Sequence, residues 1–261
     1  MLENKIKVYH ATGYYGYSDW IPKVEIVHNI EEADLVLFEG GEDINPALYD
    51  EPAGRFTHFY QRRDDIEVRA FNEAKRLGIS MWGTCRGAQL SCVLSGGKLI
   101  QDMNHHRSHE LTMYDGTKFI TNTLHHQMAY PYNLVKGEDY YILAAAYGLS
   151  NTYEDGWGKQ IDMPVKNNKG LIEEPEFIYY PKISNLSIQG HPEMMDSDSK
   201  MVTICRVFLD LLLKGVLEDV LQLNIGVDEL IARSDNFKFS KEELVILESI
   251  KSNNKVEYAG A

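Results

Sequence analysis

A cysteine between two glycines is the first group in this sequence with clear chemical potential. In the segment ISMWGTCRGAQL, residues 79–90, Cys85 stands where a strand-like apolar run gives way to a helical pattern. A thiol is a good nucleophile only as the thiolate, which a helix N-terminus or a cationic neighbour stabilises. The flanking glycines permit the sharp turn of a nucleophile elbow. The pattern indicates a reactive cysteine, and its alternative is a small residue buried at a tight turn.

A nucleophilic cysteine needs a base, and the segment QGHPE, residues 189–193, offers one. Pro192 biases His191 towards an extended conformation, in which residues i and i+2 project to the same side. We therefore expect the Glu193 carboxylate to hold the imidazole of His191 while its other nitrogen faces the thiol. The alternative is a turn whose acid caps the next helix.

The elements around these residues alternate between strand and helix. KIKVYHATG predicts an opening strand, EADLVLFEGG a second and ISMWGT a third; DDIEVRAFNEAKRLG, between the last two, predicts a helix. Asp64 and Glu67 have the spacing of a capping box, and Gly78 is placed to end the helix. This βαβ order is typical of a parallel sheet, whose ligands bind at the carboxyl ends of the strands. Gly40-Gly41 and Cys85 both lie at such ends.

The second half of the chain has a different pattern. Asp115-Gly116 stands between alternating segments, which favours a hairpin, and EFIYYPKISNLSIQG predicts two further strands. A helix is expected over DSDSKMVTICRVFLDLLLKG, and a capping box of Ser240 with Glu243 opens another, through about residue 252. We divide the chain into a catalytic domain, residues 1–215, and a helical C-terminal extension, residues 216–261.

Composition excludes several classes of function. The chain has 261 residues, 44% of them hydrophobic, and a formal net charge of −13. Nucleic acids and anionic membrane surfaces require clustered Lys and Arg, which this sequence lacks, so we expect neither as a partner. Three cysteines without a secretory signal predict a reduced, cytoplasmic protein.

Taken together, the motifs resemble one family. GGEDINPALYDEP, RRDDIE, GTCRGAQL, SGGKLIQD, NTLHHQ and QGHPE occur in the order and approximate spacing of class I glutamine amidotransferase-like proteins. The chain looks most similar to the branch of γ-glutamyl hydrolases that includes γ-glutamyl-γ-aminobutyrate hydrolases. The resemblance covers roughly residues 6 to 215. It implies a three-layer α/β/α, flavodoxin-like fold with a mostly parallel central sheet and additional antiparallel hairpins.

The resemblance also implies roles for individual residues. Cys85 would be the nucleophile, His191 the base and then the acid, and Glu193 the group that orients the imidazole. The N–H groups of Arg86 and Gly41 would form the oxyanion hole. The residues implied to contact substrate are Gly40, Gln89, His125, His126 and Gln127. The implied reaction needs neither a metal nor an organic cofactor.

Some positions depart from the family pattern or allow another interpretation. Gly190 stands where an aromatic residue is usual before His-Pro-Glu, which we expect to loosen the wall beside the base. Thr123 replaces a common serine. A group of histidines has some features of a metal cluster: His105, His106 and His109, with Asp102 and Glu110 nearby. Their spacing is not that of usual metal ligands, so we expect no metal site.

Three functions compete. The first is a stand-alone hydrolase of γ-glutamyl amides, acting on a small-molecule substrate through a γ-glutamyl thioester. The second is a glutaminase component that delivers ammonia to a separate synthetase, for which the C-terminal extension would be a docking surface. The third is a non-catalytic binding or scaffold protein, against which the intact Cys85, His191 and Glu193 argue. The sequence leaves open whether the protein forms a homo-oligomer.

Overall fold

A computed structural model describes residues 5–104, 107–234 and 238–258, with side chains through residue 249 in the last of these ranges. Within these residues the strands are β1 Ile6–His10, β2 Val24–Val27, β3 Leu35–Phe38, β4 Ser80–Thr84, β5 Lys98–Ile100, β6 Asp102–Met103, β7 His109–Met113, β8 Lys118–Thr121, β9 Met128–Tyr130, β10 Tyr141–Tyr147, β11 Tyr153–Glu154, β12 Glu173–Tyr180 and β13 Asn185–Ile188. The α-helices are α1 Gln61–Leu77, α2 Arg86–Leu94, α3 Lys200–Leu213, α4 Leu217–Gln222, α5 Val227–Arg233 and α6 Lys241–Tyr258.

The central sheet of the described chain has nine strands in the order β2-β1-β3-β4-β13-β12-β10-β7-β8. The strands from β2 to β13 pair in parallel, and those from β13 to β8 pair antiparallel. The predicted α/β class is thereby confirmed, with a sheet that is mixed and parallel in one half. The run Leu35–Phe38 is buried throughout, because helices cover both faces of this half.

Helices cover the sheet in two layers with separate cores. On one face, α3 buries Val202, Cys205 and Phe208 together with sheet residues such as Trp82 and Phe177. On the other, α1 and α2 bury Phe71 and Leu90 with Phe38 and Met81. The sheet is therefore the middle layer of an α/β/α sandwich, as expected.

Several local predictions are confirmed by the backbone. The turn at Asp115-Gly116 joins β7 to β8 as a hairpin, with Gly116 at φ 88°. Gly78 ends α1 in the left-handed conformation. Ser240 and Glu243 form the expected capping box, since the Glu243 N–H donates to Ser240 Oγ at 3.1 Å and the Ser240 N–H to Glu243 Oε2 at 2.6 Å. The helix that follows extends to Tyr258, past the predicted end.

Two local predictions are wrong. The strand β2, VEIV, lies between the first two predicted strands, so the strand expected to be second is the third along the chain. Asp64 and Glu67 do not cap α1, which begins at Gln61; both carboxylates are buried and pair with Arg86 instead. A charged residue from another element therefore overrides the local capping pattern.

The first residues beyond 215 pack on the same core as the sheet. Leu217, Val220 and Leu230 belong to the hydrophobic cluster that contains α3. The Tyr114 hydroxyl donates to the Ile225 carbonyl at 2.6 Å, which ties this segment to the β7–β8 hairpin. The division of the chain at residue 215 stays a prediction. None of the helices in the described residues combines the length and apolarity needed to cross a bilayer.

Candidate active site

Cys85 occupies a strained turn between β4 and α2. Its φ of 52° and ψ of −105° are unusual for a residue other than glycine, and such strain is typical of functional sites. The Cys85 N–H donates to the Ile188 carbonyl at 2.8 Å, and the residue stands at the N-cap of α2. The glycines two positions before and after Cys85 have no room for a side chain. A Cβ on Gly83 would overlap the backbone of α2, and a Cβ on Gly87 would overlap the backbone of β3. This is the expected elbow, with the thiol at a helix N-terminus.

His191 and Glu193 form a buried pair beside the elbow. His191 Nδ1 lies 2.7 Å from Glu193 Oε1, as the sequence predicts. The contact is made differently from the expected extended pairing, because Glu193 lies in a short 3-10 turn over Pro192–Met194. Within the described residues, His191 Nε2 and Glu193 Oε2 are buried without a hydrogen-bond partner. The pair therefore has one nitrogen that is held and one that is available.

The environment of His191 favours its protonated form. Burial by itself lowers the pKa of the imidazole, but the Cys85 sulfur and the Glu193 carboxylate outweigh burial and raise the pKa to about 10. Although Nε2 makes no hydrogen bond of ordinary length, the sulfur is close enough to act on the ring. A cationic imidazole is the kind of neighbour that a reactive thiol requires.

Cys85 opens into a cavity of about 210 Å³. Gly41, Gln89, His125, His126 and Gln127 line the cavity with it, so six of the predicted site residues, Cys85 included, meet at one place. The wall is completed by Glu42, Asp43, His58 and Leu124. This arrangement agrees with the expectation that sites form at the carboxyl ends of parallel strands.

Gly40 lies next to the imidazole rather than on the cavity wall. A Cβ at this position would lie 2.8 Å from His191 Cε1 and 2.7 Å from the Tyr17 hydroxyl. The absence of a side chain therefore lets the imidazole approach the end of β3. Gly41, with φ 146°, has a backbone conformation that favours glycine.

The side chain of Arg86 does not reach the cavity. Its guanidinium is fully buried and pairs with Asp64 at 2.5 Å and with Glu67. Burial lowers its pKa to about 10, with the nearby Arg63 acting in the same direction. Only the backbone of Arg86 is thus available to substrate. Its N–H is one of those that a helix leaves unpaired in its first turn.

Gln89 is held inside the site by other glutamines. Its Nε2 donates to the Gln127 carbonyl at 3.1 Å and to Gln189 Oε1 at 3.4 Å. The Gln189 amide in turn lies 3.6 Å from the Cys85 sulfur, as a donor. A chain of amides therefore connects the predicted substrate residues to Cys85.

A second relay fixes which end of the Gln127 amide is free. Gln101 donates through Nε2 to the Pro52 carbonyl at 3.0 Å, so its Oε1 accepts from the Thr57 hydroxyl at 2.9 Å. The Thr57 oxygen then accepts from Gln127 Nε2 at 3.1 Å. Gln127 Oε1 is left buried and without a partner among the described residues. A buried amide oxygen of this kind is an acceptor for a donor that the protein does not supply.

The two adjacent histidines of the cavity differ. His125 is buried and its Nδ1 pairs with the Gln127 carbonyl at 2.9 Å. His126 is partly exposed and faces Asp43 at 3.2 Å, with Asp102 at 3.6 Å. The hydrogen bond to Asp43 is the main reason that the pKa of His126 is raised. His126 is therefore the more accessible of the two histidines and the one that faces carboxylates.

Sequence reasoning missed several residues of this site, and two of them contact Cys85 or His191 directly. Gln189 lies in QGHPE, and its position two residues before His191 was the available signal. Asn122 begins the NTLHHQ motif and clamps the backbone of His191: its Oδ1 accepts from the His191 N–H at 2.7 Å, and its Nδ2 donates to the His191 carbonyl at 2.9 Å. Nothing in the local pattern predicts that contact.

The expectation for Gly190 is wrong. A Cβ there would overlap the Thr121 hydroxyl and lie 3.0 Å from the end of Met201. The space beside the base is thus already filled by β8 and α3, and the wall is not loosened. Thr123, the other departure from the family pattern, donates from its hydroxyl to the Arg107 carbonyl at 2.9 Å.

The histidines considered as a metal cluster are only partly described. His105 and His106 lie outside the described residues. His109 pairs with Glu176 at 2.6 Å, and Glu110 pairs with Lys118. Asp102 faces His126. Each described member of the set therefore has another partner in the protein.

The family model described as peptidase C26 matches residues 20–193, which is most of the chain and includes Cys85, His191 and Glu193. The chain belongs to the peptidase C26 family. It is thereby a member of the class I glutamine amidotransferase-like superfamily and an enzyme of the hydrolase or amidotransferase type, as the motifs indicate.

Two relatives align with about two thirds of the chain. The chain is 27% identical over 175 residues to protein NtpR of Enterococcus hirae, an alignment that covers 65% of this chain and 71% of the relative. It is 28% identical over 197 residues to the glutamine amidotransferase-like protein YvdE of Lactococcus lactis, covering 66% and 72%.

Solved structures show more distant likenesses. A glutamine amidotransferase from Thermotoga maritima aligns with a TM-score of 0.44 and 11% identity, over 95% of this chain and 96% of that one. The glutaminase domain of a Trypanosoma brucei CTPS with bound acivicin aligns with a TM-score of 0.46 and 13% identity, over 73% and 87%. The assignment of the chain to the peptidase C26 family depends on the family model.

Proposed function

We propose that this peptidase C26 protein hydrolyses γ-glutamyl amides through a thioester on Cys85. The observation that carries the proposal is the buried His191–Glu193 pair beside the strained Cys85, with Nε2 of His191 unpartnered. Nucleophile, base and orienting acid thus stand in the relation that covalent acyl transfer requires. Membership of the family supports amide hydrolysis by a cysteine.

The proposed reaction has two halves. The Cys85 thiolate attacks the γ-carbonyl carbon, and the electron pair of the C=O bond moves to the oxygen. As the tetrahedral intermediate collapses, the C–N bond breaks and His191 donates its proton to the leaving amine. A water molecule then attacks the thioester while His191 accepts its proton, and the C–S bond breaks to release glutamate. Atoms and charges balance without a metal or an organic cofactor.

Backbone donors would stabilise the oxyanion in both halves. Arg86 offers the free N–H of the first turn of α2, and Gly41 lines the same cavity as Cys85. Removing one such donor typically costs about 3 kcal/mol of transition-state stabilisation. Two donors at one carbonyl would account for a substantial part of the rate enhancement.

The cavity also suits the polar end of a γ-glutamyl group. The unpartnered Oε1 of Gln127 is an acceptor for the α-ammonium, and the amide of Gln89 lies beside it. The ring of His126, whose pKa is raised mainly by its hydrogen bond to Asp43, would form part of the wall that faces the substrate. His125 and Gly40 act in this proposal through shape, since the first is buried and the second makes room for His191.

A product assay tests the proposal. Purified protein is incubated with glutamine and a panel of γ-glutamyl amines, and glutamate, ammonia and free amine are measured, with Cys85→Ala as the control. We expect turnover of at least one γ-glutamyl amine, and a loss of about 10⁴-fold or more in Cys85→Ala. Cys85→Ala should unfold at nearly the same temperature as the wild type, because the substituted group is small.

Two other outcomes would contradict the proposal. Equal turnover by wild type and Cys85→Ala would show that the reaction does not proceed through a thioester on Cys85. Slow glutamine hydrolysis that only a synthetase accelerates would favour the glutaminase component instead.

We propose a reducing, cytoplasmic location, because Cys85, Cys92 and Cys205 are all free thiols in the structure.

A further inference from the structure

Arg63 of α1 is buried directly behind the glycine pair that follows β3. Its Nη2 donates to the Gly40 carbonyl at 2.8 Å and to the Glu39 carbonyl at 3.3 Å. A Cβ on Gly41 would overlap Arg63 Nη1, so the guanidinium lies against this glycine as well. The arginine therefore contacts three consecutive residues of the segment that carries the predicted oxyanion donor.

The guanidinium is itself held in place from two sides. Its Nε donates to Glu67 Oε1 at 3.2 Å, and its Nη1 donates to Glu42 Oε2 at 2.8 Å. Glu67 also pairs with Arg86, the residue that follows the nucleophile. One ion-pair network thus joins the Gly40-Gly41 segment to the start of α2, which bears the other predicted donor.

The geometry of a peptide bond turns these contacts into a constraint on Gly41. In a trans peptide, the C=O of one residue and the N–H of the next lie in one plane and point in opposite directions. Because Arg63 holds the Gly40 oxygen, the Gly41 N–H is directed away from Arg63. Gly41 also lines the cavity that contains Cys85. In the described part of the chain, no protein acceptor pairs with this N–H.

We propose that Arg63 is a positioning residue that keeps the Gly41 N–H aimed at the oxyanion formed on acylation of Cys85. The inference rests on the proposed thioester chemistry. Lysine is not equivalent at this position, because a single ammonium lacks the planar set of donors that reaches two carbonyls and two carboxylates together.

The test compares two reactions of the same thiol. Acylation of Cys85 by p-nitrophenyl acetate forms a tetrahedral oxyanion, then a thioester, and releases p-nitrophenolate. Alkylation by iodoacetamide displaces iodide at a saturated carbon and forms no oxyanion. Both rates are measured in the wild type, in Arg63→Lys and in Arg62→Lys, the neighbouring exposed arginine. Cys85→Ala gives the background from the buried Cys92 and Cys205.

The proposal predicts a split between the two rates. In Arg63→Lys, acylation and the kcat for a γ-glutamyl amide should each fall by about 10²-fold, with KM within about threefold of the wild type. The alkylation rate should stay within about threefold, and Arg62→Lys should match the wild type in both reactions. An Arg63→Lys protein that acylates normally would overturn the proposal, and so would one in which acylation and alkylation fall together.

A second variant covers the case in which Arg63→Lys does not fold. Glu42→Gln weakens one support of the guanidinium at a side chain that is 38% exposed, so the fold should tolerate it. We expect acylation to slow by roughly three- to tenfold with alkylation unchanged, as small misplacements of catalytic groups do. Acylation at the wild-type rate in Glu42→Gln would contradict the role of Arg63.

The same assay separates this inference from the proposed function. A wild type that hydrolyses none of the γ-glutamyl amides, but whose acylation and alkylation rates split as described in Arg63→Lys, would refute the substrate and retain Arg63. A wild type that turns over a γ-glutamyl amide, with acylation and alkylation unchanged relative to each other in Arg63→Lys, would support the substrate and refute the role of Arg63.

Discussion

Two buried charged clusters lie near Cys85, and they differ in how many oppositely charged partners each group has. Arg63, Asp64, Glu67 and Arg86 pair with one another across α1 and α2. His191 and Glu193 share one contact and leave a nitrogen and an oxygen unpartnered among the described residues. The arginine network also has buried atoms without a hydrogen bond among the described residues, such as Arg86 Nε, but each of its members has an oppositely charged partner. The unpartnered nitrogen of His191 lies instead near a thiol with which it can exchange a proton, which indicates chemistry. The network around the arginines indicates a scaffold.

The largest expected effects come from removing one acid from each cluster. Glu193→Gln should lower kcat by about 10² to 10⁴-fold, because the imidazole loses the group that orients and charges it. Its free energy of unfolding should fall by about 1 to 3 kcal/mol, because among the described residues Glu193 makes one charged hydrogen bond, to His191. Urea unfolding and steady-state kinetics on the same preparation give both quantities.

Glu67→Gln should lower the free energy of unfolding more than Glu193→Gln does. Removing a fully buried carboxylate that serves two arginines leaves buried charge uncompensated, so unfolding should become easier by about 3 to 5 kcal/mol. The matched control is Glu73→Gln, which removes the acid of a surface ion pair on the same helix and should leave the free energy of unfolding unchanged within error. Equal stability losses in Glu67→Gln and Glu193→Gln would erase the contrast between the clusters.

The pH dependence of kcat/KM sharpens the assignment of His191. The leaving amine needs the protonated imidazole, so activity should be lost as pH rises through its pKa, which is about 10. Glu193 is one of the groups that raise this value, and the alkaline limb should therefore move to lower pH in Glu193→Gln. An alkaline limb at the same pH in both proteins would show that another group titrates there.

The smallest predicted effect concerns Gln189, which sequence reasoning missed. Gln189→Leu removes the donor to the Cys85 sulfur and the acceptor for Gln89. We expect kcat/KM to fall by about tenfold, the value of one hydrogen bond to a charged group. Gln222→Leu, at a half-buried position on α4 remote from the cavity, is the control. Full activity in Gln189→Leu would show that Gln189 does not contribute to catalysis.

The parts of the fold and site that were predictable from sequence depend on local physics. A turn at Asp115-Gly116, a capping box at Ser240 and a glycine stop at Gly78 each follow from a few adjacent residues. The elbow at Cys85 is local in the same sense, and so is the pairing of His191 with a residue two positions away.

The parts that were missed depend on partners far along the chain. Asp64 and Glu67 have capping-box spacing, but their partner Arg86 reaches them from another helix. Asn122 clamps the backbone of His191, a residue 69 positions later. Gly190 was expected to leave space that Thr121 fills. In each case the deciding contact is tertiary, and nothing in the neighbouring residues encodes it.

The most direct test of the account is to observe the acyl-enzyme. The protein is mixed with a γ-glutamyl amide that it turns over, quenched in acid, and analysed by intact and peptide mass spectrometry. We expect a γ-glutamyl adduct on Cys85 that forms and decays with turnover and is absent in Cys85→Ala. Cys92 and Cys205, which are fully buried, should carry none. Turnover without an adduct on Cys85, or with one on another cysteine, would contradict the account.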